Sequence, residues 1–365
     1  MDNIKYGLIG CGRISPNHIS AAIANNVKIV AMCDLFEENI DKILKLFNLE
    51  NSGIKKYTNY KEMIKNEKLD LIAIATESGK HANIALDCLE ENINLIIEKP
   101  IALSIDDADR IIKKSQEKNL IVCANHQNRF NKSIQKIREA IDKNMFGKLM
   151  YGTAHIRWNR GKDYYEQAKW RGTWEQDGGA LMNQCIHNID LLRWMMGEEI
   201  DEVFAYTDNM KHNYIEAEDL GIALIKFKNG AYGIIEGTTN IYPKNLEETL
   251  YIFGENGTVK AGGKSVNIIE EWNFSNNNED VNKIKEVNSE NPDSVYGFGH
   301  TPLYKNVINA INTNTKPLVD ATAGKEALEL VLAIYKSAFE HKSVKLPLEK
   351  GSTLDFKGVK FNGIY

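Results

Sequence analysis

Asn183, His187 and Asp190 stand at i, i+4 and i+7 within 180–196, so a helix there presents all three on one face. Leu181, Cys185, Ile189, Leu192 and Met196 mark a separate apolar stripe. A histidine off that stripe, just after Gly178-Gly179, is placed for a site rather than for a core. Its imidazole can accept a hydroxyl proton as a general base. The amide of Asn183 cannot take a proton and is left to orient a substrate, while Asp190 could orient the helix or the histidine. Lys99, in Glu98-Lys99-Pro100, follows a β-branched run. Its ammonium can hold a reacting hydroxyl and stabilise the alkoxide that develops. A satisfied structural histidine and a solvated loop lysine are the plain alternatives.

A second constellation lies near the start of the chain. Gly10-Cys11-Gly12-Arg13-Ile14-Ser15 follows an apolar run and opens a helical pattern. It matches G-x-G-x-x-G except for Ser15 in the last position. Gly10 suits the tight turn, and Gly12 lets backbone approach a pyrophosphate at a helix N-terminus. Asp34 ends the next run, 24 residues after Gly10, near the spacing of about 20 expected of a ribose-binding acid. A carboxylate there accepts both ribose hydroxyls and repels a 2′-phosphate, and the following Leu35 and Phe36 offer that phosphate no cation. NAD is favoured over NADP, with a plain turn aspartate as the alternative.

The elements that must position these residues follow from periodicity. Apolar runs at 5–9, 27–33, 69–75, 95–98 and 120–124 alternate with helical patterns at 16–24, 37–47, 81–91 and 105–118. Such alternation predicts a Rossmann domain over 1–124, a doubly wound parallel sheet with ligands at the carboxyl ends of its strands. From 125 to 365 the pattern changes. Helices at 134–143 and 180–196 precede strands at 203–207, 221–227, 231–238 and 249–253, and helices at 302–312 and 323–340 follow. This reads as an α+β domain with an open, mostly antiparallel sheet. The Asn-, Glu- and Ser-rich stretch 273–293 reads as a mobile excursion.

Composition narrows the classes. Hydrophobic residues at 43% and charged residues at 26% fit a soluble globular protein, and a net charge of −5 argues against a nucleic-acid partner. No apolar run reaches the ~18–20 residues of a membrane helix, and the first residues show no signal-peptide pattern. Five isolated cysteines lack metal spacing, so no metal is expected; they read as buried thiols of a cytoplasmic protein.

Taken together, the glycine loop, Asp34, Glu98-Lys99-Pro100 and the run from Gly178 to Asp190 resemble the Gfo/Idh/MocA oxidoreductases over nearly the whole chain. The resemblance implies that Lys99 and His187 carry the chemistry and that Trp170-Arg171 contacts the cofactor. It also implies dimers or tetramers assembled through the open sheet. The cofactor set becomes Gly10, Gly12, Arg13, Ile14, Asp34, Thr76, His81, Glu98, Lys99, Trp170 and Arg171. Many members carry aspartate where Asn183 stands, so an acid–histidine relay is not carried over.

The segment 155–174 packs arginines, tyrosines and tryptophans ahead of the functional helix. Aromatic faces suit a sugar or base, and arginines suit a carboxylate or phosphate; a loop packed by its own aromatics is the alternative. Arg-Gly-x-x-Tyr-Tyr (160–165), Trp-Arg-Gly-Thr-Trp (170–174) and Asn-Gln-x-x-His-Asn-Ile-Asp (183–190) resemble the branch that oxidises UDP-N-acetylglucosaminuronate at C3. This implies a nucleotide-sugar substrate held by Arg157, Arg160, Tyr164, Tyr165 and Asn183 together with Lys99 and His187. A free-sugar or inositol dehydrogenase, an NAD-dependent glycosidase and a non-enzymatic dinucleotide sensor are the competing readings.

Overall fold

The computed structural model describes residues 4–361 apart from 198, 277, 278 and 293. The chain forms two compact units: 1–126 with 300–325, and 127–299 with 326–365.

The first unit runs β1 (Lys5–Ile9), α1 (Ser15–Ala24), β2 (Lys28–Cys33), α2 (Glu37–Leu46), β3 (Lys55–Tyr57), α3 (Tyr60–Asn66), β4 (Leu71–Ile74), α4 (His81–Glu90), β5 (Asn94–Ile97), α5 (Ile105–Glu117) and β6 (Val122–Ala124). Its strands pair in parallel in the order β3-β2-β1-β4-β5-β6, the Rossmann arrangement. Every residue of β4 is buried, as expected of a strand covered on both faces. The expected runs correspond to β1, β2, β4, β5 and β6. Two short elements, β3 and α3, had no counterpart in the pattern. The Lys-Lys-Tyr edge strand, none of it buried, carries no apolar signal.

The second unit contains α6 (Lys132–Asp142), β7 (Leu149–Arg157), α7 (Lys162–Glu166), a π-helical turn (Leu181–Cys185), α8 (Ile186–Met196), β8 (Ile200–Asp208), β9 (Leu220–Phe227), β10 (Tyr232–Thr238), β11 (Glu247–Gly254), β12 (Gly257–Gly262), β13 (Ile268–Phe274) and α9 (Val281–Val287). After these come α10 (His300–Thr313), α11 (Ala321–Glu340) and β14 (Val344–Lys345). The sheet runs β13-β12-β11-β7-β10-β9-β8-β14; only β7 and β10 pair in parallel. This is the expected open, mostly antiparallel sheet.

Besides α7, β12, β13 and β14, which had no counterpart in the pattern, three features differ from the sequence reading. The boundary at 124 misses that 300–325 folds with the first unit: α10 packs on α1, and Tyr304 of α10 hydrogen-bonds Tyr6 of β1 at 2.9 Å. Strand β7 was missed because Gly152, Thr153 and Ala154 interrupt its apolar alternation. The supposed excursion 273–293 contains the end of β13 and the helix α9. Asp280 caps α9 by accepting the backbone N–H groups of Asn282 and Lys283 at 2.9 and 3.4 Å. Positions 277, 278 and 293 of that stretch lie outside the described residues.

One face of the second sheet carries the segment Leu181–Met196, and glycines on three of its strands lie against it. A Cβ on Gly152 would lie 2.8 Å from Met196 Sδ, one on Gly221 2.5 Å from Leu181, and one on Gly237 2.7 Å from Cys185 Sγ. Beneath the helix, Arg129 pairs bidentately with Asp190 at 2.7 and 2.6 Å, both fully buried. Asp190 therefore fixes the helix.

Candidate functional site

In the first unit, the turn after β1 carries the features a dinucleotide needs. Gly10 has φ +95°, and a Cβ there would stand 2.5 Å from the Ala75 carbonyl oxygen, so no side chain fits. A Cβ on Gly12 would meet nothing within 4 Å, leaving open space beside the loop. Ser15, in place of the third glycine, is buried; its hydroxyl donates to the Gly12 carbonyl at 2.6 Å and closes the turn. Arg13 is exposed and Ile14 half-buried at the mouth of α1. Asp34, at the carboxyl end of β2, accepts the Cys11 N–H at 2.8 Å, and the Phe36 N–H and Asn39 amide at 3.0 Å each. A carboxylate has about four acceptor sites, so these bonds orient Asp34 and leave capacity for ribose hydroxyls. The loop and the acid fit NAD.

Glu98, assigned from sequence to the cofactor, points inward instead. It is buried, with Oε1 3.0 Å from His18 Nε2, 3.9 Å from His300 Nε2, and accepting the Asn125 amide. His18 Nδ1 continues to the Tyr304 hydroxyl at 2.7 Å. Burial alone would raise the Glu98 carboxyl, but His18 and His300 hold it well below the usual range. Glu98 thus anchors the strand end that carries Lys99, whose peptide bond to Pro100 is cis. His18 and His300 escaped the sequence reading because neither lies in a recognisable motif. His81 braces the same segment. It is buried and stands between the Pro100 and Thr76 carbonyl oxygens at 2.8 and 3.1 Å. Burial lowers its pKa, so the neutral ring donates to one of them. Thr76 is half-buried, its hydroxyl 3.3 Å from the Glu77 carbonyl.

In the second unit, the π-helical turn and α8 bury everything from Leu181 to Met196 except Asn183, Gln184 and His187. These three form the accessible face. A π turn at such a place is a common functional device. Gln184 was not singled out from sequence; it stands one residue off the i, i+4 spacing, and the wider turn brings it round. Its Nε2 donates to the Tyr164 hydroxyl at 2.8 Å and its Oε1 accepts from Arg160 Nε at 3.0 Å. Arg171 donates to the same hydroxyl at 2.5 Å and lies over the Tyr164 ring, 4.3 Å from its centroid. Arg160, Tyr164, Arg171 and Gln184 form one cluster. Among the described residues Arg171 has no carboxylate partner, so the cluster suits an anion. Trp170 stacks on Arg171 at 4.5 Å. Burial pushes the nearby Glu248 carboxyl up to about 8, with Arg160 opposing.

Two sequence assignments are corrected. Gly152 faces α8, so alternation along β7 turns Thr153, His155 and Arg157 to the opposite face. There Arg157 is held by Glu236 at 2.8 and 2.5 Å and by Glu247 at 2.5 Å, away from His187. Tyr165 is buried, its hydroxyl 3.2 Å from Thr239 Oγ1 and its ring against His212 and Tyr214. Trp158 and Trp174 are buried as well, so much of the aromatic segment is packing.

The helix start rests on Glu218. Its carboxyl accepts the Leu181 N–H at 2.7 Å and meets the Tyr335 hydroxyl at 2.8 Å. A Cβ on Gly179, at φ +97°, would collide with it. Burial pushes Glu218 up to about 8, against these two hydrogen bonds.

The chain belongs to the Gfo/Idh/MocA oxidoreductases. The family's NAD-binding Rossmann fold matches 4–126, and its C-terminal alpha/beta domain matches 138–346. It is an NAD-binding oxidoreductase by class. Among solved structures it resembles the WlbA dehydrogenase of Bordetella pertussis in complex with NADH and UDP-GlcNAcA, at 38% identity and TM-score 0.88, over 95% of this chain and 99% of that one. The WlbA dehydrogenase of Chromobacterium violaceum, with the same ligands, matches at 33% identity and TM-score 0.87, over 96% and 97%. A myo-inositol 2-dehydrogenase of Thermotoga maritima is 24% identical, over 94% of this chain and 98% of its own.

Two outcomes follow from this geometry. Calorimetry should show NAD(H) binding much more tightly than NADP(H), and Asp34→Ser with Leu35→Arg should shift preference towards NADP(H); equal affinities in the parent would refute the role of Asp34. For Glu218, a folded carboxyl near 8 binds more protons than an unfolded one at about 4.3. The contribution of this group to stability therefore falls as pH rises between those values. Glu218→Gln should flatten the decline in melting temperature from roughly pH 5 to 8, and parallel curves would contradict the shift.

Proposed function

We propose that this protein oxidises the C3 hydroxyl of UDP-N-acetylglucosaminuronate in the cytoplasm, making a ketone for surface-polysaccharide precursors. The observation that carries the reading is the Arg160–Tyr164–Arg171–Gln184 cluster beside the accessible face of α8. Guanidinium groups with a tyrosine suit the carboxylate or diphosphate of a nucleotide uronate, and a neutral polyol has no use for them. The likeness to two dehydrogenases crystallised with UDP-GlcNAcA supports the same substrate.

Bound NAD supplies the hydride acceptor. Lys99, at the exit of β5, positions the C3 hydroxyl and stabilises negative charge as its proton leaves. His187 takes that proton while the C3 hydrogen departs with its electron pair, so the C–O bond becomes a carbonyl. Asn183 and Gln184 orient the sugar, and Arg160 with Tyr164 and the adjoining Arg171 hold its anionic part.

We further propose a homo-oligomer assembled through the open face of the second sheet. Tyr206, Ile222, Leu224 and Tyr232 are exposed there, and neighbouring exposed apolar side chains of this kind mark an interaction surface.

Lys99→Met and His187→Asn should melt near the parent temperature and turn over at least ~100-fold slower, about 3 kcal/mol of transition-state stabilisation, and His187→Asn should also bind NAD normally. A near-parental rate for His187→Asn would move the base elsewhere. Arg160→Ala should raise KM for UDP-N-acetylglucosaminuronate and leave NAD affinity intact. Faster NADH formation with myo-inositol than with any UDP-sugar would overturn the substrate. Sedimentation should show a parent dimer or tetramer that Leu224→Lys makes smaller; a monomeric parent refutes the assembly.

A further inference from the structure

We propose that Glu218 is a positioning residue kept as an un-ionised acid, whose carboxyl O–H holds, through Tyr335, the turn that presents Asn183, Gln184 and His187. The segment opens at Ala180, which offers no side-chain cap. A helix start leaves backbone N–H groups in need of partners, and here two other elements supply them. Glu218 Oε1, just before β9, accepts the Leu181 N–H at 2.7 Å, and the hydroxyl oxygen of Tyr335, on α11, accepts the Met182 N–H at 3.3 Å. The same hydroxyl lies 2.8 Å from the Gly178 carbonyl oxygen and 2.8 Å from Glu218 Oε1. All of these groups are buried.

Four contacts need four protons. Leu181 and Met182 supply one each from the backbone, and Tyr335 supplies one from its hydroxyl. A carbonyl oxygen only accepts, so the Tyr335 proton goes to Gly178. Both O···O separations have full hydrogen-bond length, and the remaining contact, Tyr335 to Glu218, takes its proton from the acid. If Tyr335 gave its proton to Glu218 instead, nothing could supply one towards Gly178, and two lone pairs would face each other. Glu218 Oε2 is buried with no hydrogen-bond partner among the described residues, a costly place for half of a negative charge. Burial favours the un-ionised acid as well, and Asp219, next in the chain, adds to it. The other titratable groups facing it are Tyr335 of α11 and Tyr165 of α7, with Cys185 of the π turn beyond Tyr335.

An un-ionised carboxyl suits this place because one O–H oxygen both donates to Tyr335 and accepts from Leu181. A carboxylate cannot donate, an amide nitrogen cannot accept, and an amide oxygen cannot donate. On ionisation, Tyr335 turns its proton to Glu218 and releases the Gly178 carbonyl, so the turn loses one of its four ties. Gly178 and Gly179 lead directly into the segment whose accessible residues are Asn183, Gln184 and His187, and the placement of those three shifts with the turn. The effect on turnover rests on the proposal that His187 takes the substrate proton.

The test compares parent, Glu218→Gln, Tyr335→Phe and the double variant Glu218→Gln/Tyr335→Phe. The infrared difference between parent and Glu218→Gln at roughly pH 6 should show the carbonyl stretch of an un-ionised carboxyl; carboxylate bands in its place overturn the proposal. Glu218→Gln keeps the shape of the side chain, yet it should melt at least about 2–4 °C below the parent at roughly pH 6. The two curves should converge as pH passes about 8. In the Tyr335→Phe background, where no hydroxyl needs the fourth proton, Glu218→Gln should cost much less. Parental melting of Glu218→Gln at roughly pH 6, or an equal cost in both backgrounds, also overturns the proposal. The parent kcat with NAD and UDP-N-acetylglucosaminuronate should fall through the same pH range, while Glu218→Gln starts several-fold lower and loses less over it. Lowered melting with parental kcat at every pH leaves Glu218 a structural partner only and overturns the positioning role. The infrared and melting comparisons need no substrate. If they hold while the parent leaves the UDP-sugar untouched, the substrate reading falls and the proton on Glu218 stands.

Discussion

Gly152, Gly221 and Gly237 lie on three adjacent strands of the second sheet, each directly beneath the segment Leu181–Met196. The helix reaches its depth only because those positions have no side chain. Inserting a methyl group into such a contact typically costs ~1–3 kcal/mol, and here three contacts act on one element. The depth also decides function. A helix seated this low buries nearly every residue it has, so the few that escape form a narrow accessible strip of Asn183, Gln184 and His187. The π turn widens that strip by one residue, and the Glu218 carboxyl against Gly179 sets where it starts.

Charge in this molecule is sorted by burial rather than by proximity to chemistry. The bidentate Arg129–Asp190 pair ties α8 to the turn 127–130 and is closed to solvent. Breaking one partner of such a pair strands a buried charge, which is why it reads as structure. Glu98 is held ionised by His18 and His300, whereas Glu218 and Glu248 are pushed towards neutrality by burial. Glu98 braces the strand end that carries Lys99, and Glu218 the helix start that carries His187.

Much of this was legible in the sequence, for identifiable reasons. The strands of the first sheet are long apolar runs, and the turn at Gly10 is dictated by a positive φ that only glycine adopts without strain. The face carrying Asn183 and His187 follows from helical periodicity alone. What escaped has little local signal. Strand β3 is three largely polar residues on an edge, β7 is broken by small residues, and α9 is capped by one aspartate in a polar stretch. The return of 300–325 to the first unit depends on side chains 298 residues apart, Tyr6 and Tyr304, and no window of sequence contains both.

The aromatic–arginine segment shows why a cluster in sequence is not a cluster in space. Arg157 and Arg160 are three residues apart and look equivalent as anion binders. Residue 157 still belongs to β7, where alternation of side chains sends it to the open face and into Glu236 and Glu247. The chain leaves the strand before Arg160, which is free of that alternation and turns to Gln184 on the functional side. Composition thus set the chemistry the segment could perform, while the last hydrogen-bonded residue of one strand decided which arginine could perform it. The same logic separates Tyr164 from Tyr165: neighbours on one turn of α7, one shared by Arg171 and Gln184, the other committed to the core against Thr239. Arg157 already pairs its charge with two carboxylates, whereas Arg171 meets the hydroxyl and the ring of Tyr164.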